Sequence, residues 1–138
     1  MTDRTAPRHI TAVAIEPDWY EPYAISQAMR AGDTVYVSGQ AGIDENGRTV
    51  SEDFGDQMRR AVANIERVLT ETGASLRDIV KVTIMVTDMA NLDTVVAIRR
   101  EVFTEPYPAD NLLQVAALAS PEWKVEIDAV AVLPEEDR

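Results

Sequence analysis

The chain has few residues with which to do chemistry. It carries one histidine, His9, and no cysteine, which excludes disulfides, thiol nucleophiles and zinc–cysteine sites. A serine–histidine nucleophile would depend on His9, which lies near the N-terminus, whereas a catalytic base needs fixed geometry. The acid–base groups left are the carboxylates of the last third, Asp110, Glu122, Glu126 and Asp128. They could meet around a hard cation, but scattered acids in a chain of net charge −11 are expected in solvent, so no metal site is assigned. "SGQAG", Ser38 to Gly42, has two glycines but neither a lysine nor a following helix start, so it is not a phosphate loop. Gly39 inside a strand reads as a bulge or as backbone open to a ligand. The segment "YPADNLLQVAAL", Tyr107 to Leu118, sets Asp110 and Asn111 at the mouth of an apolar strand. Turn chemistry accounts for such a pair; a binding role is the alternative.

The elements that must position these residues can be read from periodicity. A first strand is expected over His9–Ile15, and two more around a tight turn at Gly32–Asp33, the second rich in the strand formers Thr34, Val35, Tyr36 and Val37. Asn46–Gly47 is a favoured turn pair. Phe54, Met58, Ala61, Val62, Ile65, Val68 and Leu69 recur at helical spacing, predicting a helix over 54–72, with Ser51 or Asp53 as cap and Gly73 as stop. Val80, Val82, Ile84 and Val86 are expected on one face of a strand. A second helix is expected from about Leu92 to Phe103 with Asn91 as cap. Its apolar stripe, Leu92, Val95, Val96, Val102 and Phe103, is interrupted by Arg99. Strands over "NLLQVAAL" and "KVEIDAVAVL" complete the pattern, with Lys124, Glu126 and Asp128 opposite Val125, Ile127 and Ala129. The result is an α+β domain over residues 1–138, a six-stranded sheet with two helices. Two helices cannot cover both faces of such a sheet, so the open face is expected to meet further copies of the chain.

Composition narrows the function classes. A charge of −11 with no lysine–arginine run disfavours nucleic acid and anionic membrane surfaces as partners. No stretch reaches the roughly 18 apolar residues of a membrane span, and "MTDRTAPRHI" lacks an apolar signal segment. A cytoplasmic protein is expected.

Four blocks in order, "AGDTVYVSGQ", "IVKVTIMVTDM", "YPADNLLQVAAL" and "VEIDAVAV", together resemble the Rid (YjgF, reactive intermediate deaminase) family over about Ser26–Val132. The resemblance implies a chorismate-mutase-like fold, a homotrimer and ligand sites in the clefts between subunits. It also implies hydrolysis of enamines and imines that escape from pyridoxal-phosphate enzymes, giving a keto acid and ammonia, with no metal or cofactor. In that pattern backbone groups at Gly39 contact the ligand, Glu126 helps activate water, and an arginine following the Pro-Ala of the third block holds the substrate carboxylate. Here that arginine position is Asp110, followed by Asn111. The family's tyrosine near the first strands is displaced as well: Pro22–Tyr23 lies two residues further from Ser26–Gln27, leaving Ile25 in its place. The segment "DWYEPYAISQA" resembles divergent branches that carry aromatic residues there.

Arginine to aspartate turns attraction for a carboxylate into repulsion, roughly 1 to 4 kcal/mol per unit charge pair at 4 Å between water and a protein surface, and removes the bidentate fork. Three readings follow. The cleft takes a neutral or cationic small molecule, with Asp110, Asn111 and Glu126 as polar anchors. Or Arg99 replaces the missing arginine, against the plainer reading of a long stem packed on the core. Or catalysis is lost and the protein binds a metabolite or partner in a regulatory role. Glu126 sits on what could be a plain solvent face; in a cleft, burial and acidic neighbours would raise its pKa.

Overall fold

The computed structural model describes residues 9–135. The N-terminal segment read above for a signal peptide lies outside them up to residue 8. Six strands and two helices follow in order: β1 (Ile10–Val13), β2 (Ala28–Ala31), β3 (Thr34–Ala41), α1 (Phe54–Thr70), β4 (Ile79–Val86), α2 (Leu92–Val102), β5 (Ala109–Gln114) and β6 (Val125–Val132). The sheet order is β1-β2-β3-β6-β4-β5. Every pairing is antiparallel except β4 with β5, which is parallel and is joined through α2, as a parallel pair requires a crossover.

The apolar stripe of α1 lies against β3 and β6, with Met58, Ala61, Ile65, Val68 and Leu69 buried. Asp53 caps the helix by accepting from the Asp56 N–H at 2.9 Å, and Gly73 follows its end at φ 84°, where glycine carries no Cβ penalty. In α2 the buried residues are Val95 and Ile98, followed by Phe103, whereas Leu92 is exposed. The cap is also different: Asn91 makes no side-chain capping bond, and the preceding turn is held instead by Asp88, which accepts from the Ala90 N–H.

Two register shifts interrupt the alternation. In β4 the pairing with β6 slips between Ile79 and Lys81. Ile79 therefore turns inward and Val80 outward, so Val80 does not share the buried face of Val82, Ile84 and Val86. In β3 the slip lies between Val37 and Gln40, where Ser38 and Gly39 together oppose Asp128 of β6.

Both helices lie on one face of the sheet. The other carries Met29, Tyr36 and Leu113 in the open. Among the described residues no helix is long and apolar enough to cross a membrane.

Candidate functional site

The β3 bulge is where a site begins. It sets Gly39 beside Glu126 of the neighbouring strand so closely that a Cβ at position 39 would lie 2.4 Å from Glu126 Oε2. Only glycine fits without moving the carboxylate. The Tyr20 hydroxyl donates to the Gly39 carbonyl oxygen from the other side. Tyr20 is in turn placed by Asp18, whose Oδ1 accepts from the Tyr20 N–H at 3.0 Å and from Gln27 Nε2 at 2.9 Å. Gln27 accepts from Gln40 Nε2 at 2.9 Å, and both glutamines are fully buried. A chain of amides thus ties the segment before β2 to the bulge.

The bulge opens onto a cleft of about 1110 Å³ that Ile25, Gly39 and Glu126 share with Trp19, Tyr20 and Trp123. Its far wall is the loop between β3 and α1 and the loop between β5 and β6, and α1 fastens both with polar residues on its buried side. Asn64 Nδ2 donates to the carbonyls of Ala41 and Ile43. Gln57 donates to those of Ser51 and Glu122 and accepts from the Lys124 N–H at 2.8 Å. Buried amides of this kind cost stability unless fully bonded, and here they fix the walls of the cleft.

Burial, and then the neighbouring Asp128 carboxylate, raises the Glu126 pKa above the usual carboxylate value. Burial, and then Glu126, pushes the Tyr20 hydroxyl well above an ordinary tyrosine. Glu126 therefore holds its proton to higher pH than a free glutamate, which suits a group that must both take and return a proton, while Tyr20 stays a hydrogen-bond donor.

Asp110 and Arg99 are elsewhere. Asp110 is paired with the buried Val82 and faces the helices, on the opposite side of the sheet from Glu126. Arg99 of α2 meets it with a fork: Nε donates to Oδ2 at 2.8 Å and Nη2 to Oδ1 at 2.7 Å. Their side chains are 25% and 20% exposed. The pair lies in a second cleft of about 550 Å³ between α2 and β5. Asn111 is exposed on the other face of β5 and lines neither cleft. His9 is exposed, and its carbonyl accepts from the Gly32 N–H. Glu122 joins Glu126 in the first cleft. Among the described residues no cluster of three or more histidine, aspartate or glutamate side chains is placed to hold a metal. Tyr20 was not singled out from the sequence. Its only signal is the density of aromatic residues in "DWYEPY", because its partner lies nineteen positions away.

A six-stranded mixed sheet backed on one face by two helices, with a glutamate packed on a bulge glycine, defines a class of small α+β domain. Residues 15–133 match the family model described as Endoribonuclease L-PSP, and the chain belongs to that family, the Rid or YjgF family. It is 41% identical over 113 residues to Reactive Intermediate Deaminase A, chloroplastic, of Arabidopsis thaliana, a match spanning 81% of this chain and 59% of the plant protein. It is 33% identical to the 2-iminobutanoate/2-iminopropanoate deaminase of Homo sapiens, over 91% of this chain and 90% of that protein. The solved structure of the protein YjgH superposes with a TM-score of 0.82 at 34% identity, covering 92% of this chain and 98% of that one.

Proposed function

We propose that the protein binds a small enamine or imine in the cleft at Gly39 and Glu126 and hydrolyses it to a carbonyl compound and ammonia. The reading rests on one observation, the Glu126 carboxylate held against Gly39 by burial while Tyr20 engages the same residue's carbonyl. Water adds to the protonated imine carbon as Glu126 takes its proton. The proton then passes to nitrogen, the C–N bond breaks, and ammonia leaves as the carbonyl forms. The names of the relatives favour the same reaction, and no cofactor enters it. We place the cleft at a subunit boundary of a homotrimer, whose contacts would cover the open sheet face, and the protein in the cytoplasm. The net charge of −11 argues against the ribonuclease activity in the family description.

The substrate differs from the 2-imino acids named for the human relative. Asp110 stands where the family resemblance puts the carboxylate-binding arginine, and its partner Arg99 is spent on it. The same pair favours a second reading, a metabolite-binding protein that has given up catalysis. Ammonia release from imines generated in situ separates the two. Hydrolysis should be accelerated by the wild-type protein and fall at least tenfold in Glu126→Gln. Saturable ligand binding without acceleration selects the second reading.

A further inference from the structure

The composition of the larger cleft specifies its ligand more narrowly. Its lining holds the carboxylates Glu45, Glu52, Glu122 and Glu126 against one cation, Arg48. Glu45 is partly engaged by Arg67 at 3.6 Å. Among the described residues Glu122 accepts from the hydroxyls of Thr49 and Ser120, and no cation pairs with the carboxylates of Glu52, Glu122 or Glu126; the nearby Lys124 ammonium donates to the Glu52 backbone carbonyl rather than to its carboxylate. Between these acids stand Trp19, Tyr20, Tyr23 and Trp123. The fold already pairs a cation with one of these rings, since the Arg67 guanidinium lies 5.7 Å from the centre of Trp19. An excess of carboxylates beside aromatic faces attracts organic cations and repels anions.

We infer that the cleft selects a protonated imine with a flat apolar body and no carboxylate, RCH=NH2+, the product of oxidising a primary amine. The inference rests on the hydrolytic reading above and names its substrate class. The balance is RCH=NH2+ + H2O → RCHO + NH4+. The C=N bond is replaced by C=O, the nitrogen leaves with the positive charge, and nothing is oxidised or reduced. The step that supplies the substrate is therefore an amine oxidation and the product is an aldehyde. This assigns the acidic walls a role in specificity: Glu52 and Glu122 discriminate by charge, while Glu126 is the group that touches the reacting atoms.

Two measurements test it. In the first, calorimetry compares benzamidinium with benzoate, rings of equal size and opposite charge. Benzamidinium should bind at least tenfold more tightly, and Glu52→Gln combined with Glu122→Gln should weaken it about fivefold or more. Equal binding, or tighter binding of benzoate, overturns the inference. In the second, an amine oxidase generates the imine of phenylethylamine and an amino-acid oxidase that of phenylalanine, and ammonia release is followed with and without the protein. Preference for the first imine supports the inference. Preference for the second overturns it and leaves the hydrolytic reading standing. If neither is accelerated while benzamidinium still binds selectively, the hydrolytic reading falls and the charge preference of the cleft stands.

Discussion

At the scale of single residues, Glu126 couples stability and reactivity to pH in a calculable direction. Its pKa is raised first by burial and then by Asp128, so the folded protein binds this proton more tightly than the unfolded chain does. That contribution to stability is complete below the ordinary glutamate pKa and is lost as pH rises through the raised native value. Above it, the ionised carboxylate opposes folding. Glu126→Gln should therefore raise the melting temperature at pH 7 to 8, with the difference shrinking towards pH 4. Thermal unfolding across that range reads it directly. In the same protein the ascending limb of the pH–rate profile should lie above the usual carboxylate range and disappear in the variant.

At the scale of elements, the fork between Arg99 of α2 and Asp110 of β5 locks the crossover helix to the edge strand it leads into. Removing either partner strands a part-buried charge and should cost about 1–3 kcal/mol. Exchanging the two, Arg99→Asp with Asp110→Arg, should return most of that loss in a double-mutant cycle followed by denaturant unfolding.

The elements themselves were largely legible: α1 announces itself because seven apolar residues keep helical spacing and a glycine ends it. What could not be read was the direction of Asp110. In "ADNLLQ" Leu112 and Leu113 are adjacent, so apolar side chains point both ways and alternation does not decide which face is buried. The parallel pairing with Val82 decides it, and that is a fact about a strand some thirty positions earlier. The same holds for Val80, whose place is set by a register slip against β6 rather than by any pattern within β4. Gly39 and Glu126 could be paired only through the family resemblance, because the bulge that joins them leaves no local signature beyond a glycine.

At the scale of the whole molecule, the charge and the open sheet face pull in opposite directions. A net charge of −11 keeps copies apart in dilute salt, while Met29, Tyr36 and Leu113 offer apolar area that water does not favour. Leu113 shares a cross-strand row with Met85 and Glu126, so contact at this face and the geometry of the cleft are mechanically linked. Light scattering should give a trimer for the wild type, held more firmly at higher ionic strength. Tyr36→Asp with Leu113→Asp should give a monomer of unchanged circular dichroism and, with the subunit boundary gone, at least tenfold weaker ligand binding.

The slip in β3 has one more implication. Val37 pairs with Ala129 and Gln40 with Ile127, so two residues span a gap that one would fill. A chain lacking Gly39 would run as an unbroken ladder, with Ser38 opposite Asp128, Gln40 still turned inward and every pair on either side retained. Residue 39 is thus surplus to the β3–β6 ladder, although its carbonyl anchors Tyr20. A folded protein from which it has been deleted would keep its ladder and lose both the close packing on Glu126 and the acceptor for Tyr20.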